Sequence, residues 1–142
     1  MELASELTGP PTLGIAVGDP QGLKLGTTPA QYIFFGAYED PMQSAPPARA
    51  VMEEWAMLAE AESPFPLETI APLSVFQVNG VDAASKTYST AIQGRSLVMR
   101  VCFLSAGNCV YIFSFRTEAE RWDTEQALIE TVLNSFTVEN SD

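Results

Sequence analysis

"NCVYIFSFRTEAERW", residues 108–122, changes character partway along its length. Up to Phe115 it is crowded with apolar and aromatic residues, as in a β-strand; from Thr117 it reads as the start of a helix. "TEAE" (residues 117–120) fits a capping box. The Thr117 hydroxyl is placed to accept from the Glu120 amide, and the Glu120 side chain to reach back. Such a cap is worth about 1 kcal/mol. Glu118 and Glu120 also suit the positive end of the helix dipole. The expectation is a strand that stops near Phe115 and a helix from Thr117 to about Asn134. Trp122, Ile129, Val132, Leu133 and Phe136 form its buried stripe, and "FTV" (residues 136–138) closes the sheet as a short last strand.

Upstream the period is two. "LSVFQV" (residues 73–78), "VDAASKTYSTAI" (81–92) and "SLVMRVCFL" (96–104) precede "CVYIFSF" (109–115). Asn79-Gly80 is a strong hairpin signal because both residues tolerate positive φ. Four such strands joined by short turns make an antiparallel meander. A three-residue loop, Ala106-Gly107-Asn108, sets Phe103 opposite Tyr111 and Val101 opposite Phe113. One face then holds Leu97, Met99, Val101, Phe103, Tyr111, Phe113 and Phe115. The other holds Val98, Cys102, Leu104, Val110 and Ile112, with Arg100 and Ser114 as polar members. Both faces are largely apolar, so both are expected to be covered.

The first half supplies the second cover. Residues 1–12 read as a flexible tail ahead of a single domain, 13–142. "LGIAV" (13–17) and "QYIFFGAY" (31–38) read as strands, and "PARAVMEEWAMLAEAE" (47–62) as an amphipathic helix. Val51, Trp55 and Leu58, with Met52 and Ala59 beside them, form its apolar stripe; Arg49, Glu53, Glu54 and Glu60 lie opposite. The prolines of "SPFPLETIAP" (63–72) exclude a central strand there. The expected class is α+β: an antiparallel sheet of about six to seven strands with helices on both faces, an α/β/α sandwich.

With 142 residues, 46% hydrophobic and 18% charged, the chain is globular in composition. The apolar run Tyr32–Tyr38 is far shorter than the roughly 20 residues that span a bilayer. No signal peptide is apparent in "MELASELTGPP", so a cytoplasmic protein or the mature part of an exported protein or lipoprotein is expected. A net charge of −11 argues against binding nucleic acid or anionic membranes. Residues 1–71 carry ten acids and two bases. A protein partner with a basic surface suits that imbalance; plain solubility also accounts for it. The absence of histidine removes Ser-His-Asp and Cys-His systems and imidazole-bound zinc.

Few residues invite chemistry. In the expected register Cys102 and Cys109 point to opposite faces and stay free. Arg100 interrupts an apolar strand: an exposed or salt-bridged position near the sheet edge explains it, or an anion contact at a cleft rim joined by Lys86 and Tyr88. Glu39-Asp40 and the acidic helix face (Glu53, Glu54, Glu60) form a candidate partner surface with the Pro-rich loops at 40–47 and 63–72. They lack the spacing of a calcium loop, and neither metal nor cofactor is expected.

The Asn79-Gly80 turn, the aromatic strand Tyr111 to Phe115, the Thr117 helix and the closing Ser135-Phe136 together resemble the PsbP-like fold. That group includes photosystem II PsbP, a Ran-binding nuclear-transport factor and bacterial DcrB-like lipoproteins. "GIAVGDPQGL" (14–23) is similar to the group's opening strand, with Leu23 where a Trp is usual. The resemblance implies an antiparallel sheet between helices that serves as a non-catalytic binding or assembly module. It also implies frequent export, and chaperone roles for some relatives in secretion loci. The alternatives are a small-ligand carrier or secretion-associated chaperone with an apolar groove, and a carboxylate-based enzyme using a pair such as Glu39 and Asp40.

Overall fold

The computed structural model describes residues 13–18, 32–39, 44–63, 66–92 and 94–137, so the expected tail, Asp40 and Val138 lie outside the described residues. The strands are β1 (Leu13–Gly18), β2 (Tyr32–Glu39), β3 (Glu68–Val78), β4 (Val81–Ile92), β5 (Arg95–Ala106) and β6 (Cys109–Glu118). The helices are α1 (Ala48–Glu62) and α2 (Trp122–Asn134), the second preceded by a 3₁₀ turn, Ala119–Arg121. One antiparallel sheet runs in the order β1-β2-β6-β5-β4-β3. The meander of β3 to β6 is present as expected, and β2 returns to pair with β6, from Tyr32 opposite Arg116 to Glu39 opposite Cys109.

Turn chemistry sets the register. Asn79 (φ 50°) and Gly80 (φ 81°) join Val78 to Val81, as a two-residue hairpin with both centres at positive φ requires. The β5–β6 turn also has two residues: Gly107 takes φ 60°, and Ala106 pairs with Cys109. The expected three-residue loop is thereby corrected. Phe103 faces Ile112 and Leu104 faces Tyr111. One residue of slip exchanges the faces of the whole strand.

Met99, Val101 and Phe103 therefore share a face with Val110 and Ile112, under α1. Ala48, Val51, Met52 and Ala56 pack onto this layer, with the Trp55 ring 6.0 Å from Phe103. On the other face Cys102 and Leu104 join Phe113 and Phe115 beneath Ile129 and Leu133 of α2. Both faces are covered, and the two tryptophans belong to helices on opposite sides.

Three local expectations are corrected. β6 runs on through Thr117 and Glu118, so no Thr117 cap forms, and α2 begins at Trp122 with no side-chain cap. Thr117 pairs with Val98, and Arg95 bridges to Glu118 at 2.8 Å; continuing the ladder outweighs a cap worth about 1 kcal/mol. β3 starts at Glu68 rather than Leu73. Pro72 is accommodated because β3 is an edge strand and its register shifts between Thr69 and Ser74. Phe136 and Thr137 form no strand. The Phe136 ring packs on Tyr111 and Phe113, and its carbonyl accepts from Asn79 Nδ2 at 2.7 Å. Among the described residues the sheet has six strands.

The α1 N-terminus is held from the sheet. The Ala48 amide donates to Asp82 Oδ2 at 2.9 Å, so β4 supplies the carboxylate that a local N-cap would otherwise provide.

Candidate functional site

Lys86 and Tyr88 alternate with Ser85 and Thr87 along β4, and the pleat sends the two pairs to opposite sides of the sheet. Lys86 pairs with Val101 and Tyr88 with Met99, under α1; Thr87 pairs with Arg100, under α2. The expected grouping of Arg100 with Lys86 and Tyr88 is therefore corrected, because the sheet itself separates them. Arg100 also lies on an interior strand and not near an edge.

On the α1 side, Glu60 Oε2 accepts from Lys86 Nζ and from the Tyr88 hydroxyl, both at 3.2 Å. The Lys86 ammonium also stands 5.2 Å from the Tyr88 ring centre. Tyr88 is fully buried, and burial, then the Glu60 charge and hydrogen bond, push its hydroxyl well above the usual phenol range. Glu60 thus ties α1 to β4 and is committed within the chain. Glu53 is exposed and pairs with Arg49 one helical turn away. Glu54 is half-buried beside it, and Glu62 is exposed at the helix end. Glu39 is exposed at the end of β2, where Asn108 Nδ2 donates to it at 3.4 Å. A shallow apolar groove of about 300 Å³ runs along the C-terminal half of α1, between Trp55, Leu58, Ala59, Leu67 and Met99.

On the α2 side, a cleft of about 370 Å³ opens between the helix and the β3–β4 margin of the sheet. Arg100 crosses it to an ion pair with Glu130. Its Nε donates to Ser85 Oγ at 3.4 Å, and its guanidinium carbon stands 5.7 Å from the Phe76 ring centre. Ser74, Ser85 and Thr87 form the hydroxyl-rich floor, with the Ser74 and Ser85 oxygens 3.5 Å apart. Trp122, Gln126 and Glu130 follow one stripe of α2 as its wall. Sequence reading missed this constellation, although the alternation in "SKTYST" already places Ser85, Thr87 and Ser89 on one face.

Cys102 lies on the same side, beneath α2, and burial pushes its thiol up to about 12 against the opposing pull of Arg100. The two cysteines are free, as expected, for a different reason. They share a face, but Cys109 pairs with Ala106, four residues along the strand from Cys102. Among the described residues, no group of three or more His, Cys, Asp or Glu side chains is placed to hold a metal ion, and no helix is long and apolar enough to cross a membrane.

No protein-family model matches the chain, and no curated protein matches it. Solved structures do. PA94 of Pseudomonas aeruginosa, a protein of unknown function, aligns with TM-score 0.64 and 18% identity over 91% of this chain and 85% of its own. The Synechocystis PsbP protein, CyanoP, aligns with TM-score 0.56 and 18% identity over 91% of this chain and 84% of its own. Mycobacterium tuberculosis LpqN, involved in cell envelope biogenesis, gives TM-score 0.53 and 11% identity over 77% of this chain and 64% of its own.

Proposed function

We propose that this chain, which has the PsbP-like fold, is a non-catalytic binding or assembly module acting through protein–protein contacts. Its contact surface is the solvent face of α1, and its partner presents basic residues. The charge distribution is the observation that carries this reading. Arg49, Lys86, Arg95, Arg100 and Arg121 each hold a carboxylate of the same chain. With those cations engaged and a net charge of −11, the surface field is negative and favours a cationic partner. The same field opposes nucleic acid and anionic lipid. Glu53 and Glu54 are the residues to test, since reversing Glu60 would also release Lys86 and Tyr88 of the sheet.

Capture of partners by the wild type and by a Glu53→Lys, Glu54→Lys double variant, at low and high salt, tests the surface. A partner held at low salt, released by high salt and lost on charge reversal is the expected result. Retention of the same partner by the reversed variant removes the α1 face as the contact surface.

The apolar groove along α1 favours a second reading, a carrier for a small apolar ligand. Native mass spectrometry of freshly purified protein decides between them, because a carrier leaves the column with a bound mass and a docking module leaves empty.

A further inference from the structure

We infer that the cleft under α2 is a binding site for a small, uncharged, hydroxyl-rich ligand, such as a monosaccharide or a cyclitol. Its size, about 370 Å³, lies at the small end of the roughly 300–1,000 Å³ range of ligand pockets. The floor is polar beside apolar neighbours on the same face: Ser85 and Thr87 are 4% and 6% exposed, next to Ala83 and Cys102 at 0%. Hydroxyls both donate and accept, so a floor of Ser74, Ser85 and Thr87 matches a ligand that presents hydroxyls. The wall adds the complementary chemistry: the Trp122 indole offers an apolar flank, and the Gln126 amide and Glu130 carboxylate offer directional polar contacts.

Charge excludes the other ligand classes. Arg100 already holds Glu130, and its side chain is only 15% exposed. An anion would have to displace Glu130 from Arg100, and a cation would have to displace Arg100 from Glu130. A neutral polyol bonds to the outer edges of the intact pair and breaks neither. The site lies on the face of the sheet opposite the proposed α1 contact surface, so the two proposals stand or fall separately.

The test is a titration of the ¹⁵N-labelled full chain with glucose and with myo-inositol, with inorganic phosphate as the anionic comparison. Either polyol is expected to give saturable shifts at the Trp122 indole, the Gln126 side-chain amide and the amides of Ser74, Ser85 and Thr87. Trp122→Ala should weaken that response roughly 3- to 10-fold, the worth of one aromatic contact. Trp122 also touches the core, so Gln126→Leu, at an exposed helix position, is the second variant; it should weaken the response by a similar factor with an unchanged fold. Glu130→Gln frees Arg100 and should create a phosphate response that the wild type lacks. The proposal is overturned if neither polyol perturbs the cleft, if the shifts map elsewhere, or if the wild type answers phosphate as strongly as Glu130→Gln does.

Discussion

The two faces of one sheet meet helices of similar length and end differently. Under α1, the strands present Ala84, Val101, Phe103, Val110 and Ile112, and the helix answers with four buried residues to make a dry layer. Under α2, the helix contributes two buried residues, Ile129 and Leu133, to an aromatic layer over Phe113 and Phe115, and beyond it the polar cleft stands open. β4 accounts for the difference. It contributes to both faces, yet on the α2 side its row passes from Ala83 to Ser85 and Thr87. The polar residue in the β4 row under α1, Lys86, is accommodated because Glu60 of the helix pairs with it, whereas a row of hydroxyls gives α2 no apolar surface to close onto.

The largest effect should come from the dry side. Phe103→Ala removes a fully buried ring between Trp55 and the sheet and should cost about 3–5 kcal/mol in urea denaturation. Thr87→Ala on the cleft floor should cost less than about 1.5 kcal/mol, since it widens a space already open instead of creating a void. Equal losses would erase the contrast between the faces.

A sharper test lies at the β6–α2 junction. Among the described residues the buried Thr117 hydroxyl has no hydrogen-bond partner. Thr117→Val keeps the shape of a strand residue and removes that hydroxyl, so stability should rise by about 1 kcal/mol. A fall of the same size would restore Thr117 as a helix cap.

The two thiols give the smallest effect at neutral pH. Cys109, half-buried, should react with a disulfide reagent in the native protein, and Cys102, beneath α2, only after unfolding. Burial raises the Cys102 thiol from 9.0 to about 12. Between those values the unfolded chain loses a proton that the folded chain keeps. The stability present below about pH 9 is therefore lost as pH rises, at up to about 1.4 kcal/mol per unit. Comparing urea midpoints at pH 8 and 10 should show a loss about 1 kcal/mol larger than in Cys102→Ala, whose remaining loss comes from raised tyrosines such as Tyr88. Equal slopes would place that thiol in contact with solvent.

The elements legible in the residues were those governed by short-range rules. The Asn79-Gly80 turn and the span of β4 came directly from turn chemistry and the two-residue period, and α1 from its apolar stripe. Arg100 stood out as a charge in an apolar strand, but its partners could not be read. They depend on whether the β5–β6 turn has two residues or three, and on which helix lands over that face. Thr117 shows the reverse failure: its capping pattern was genuine, and pairing with Val98 prevailed over it.

Local sequence thus determined a β-meander, two amphipathic helices, the absence of imidazole chemistry and an excess of negative charge. Each depends on residue types or on spacings of a few positions. The fold alone decided that β2 lies against β6, that Asp82 holds the start of α1, and that Glu60 and Glu130 bind cations on opposite sides. It also brought three hydroxyls together with Trp122 in one cleft. Such pairings join residues 26 to 84 positions apart. They are selected by the summed packing of the whole sheet, which no local window contains.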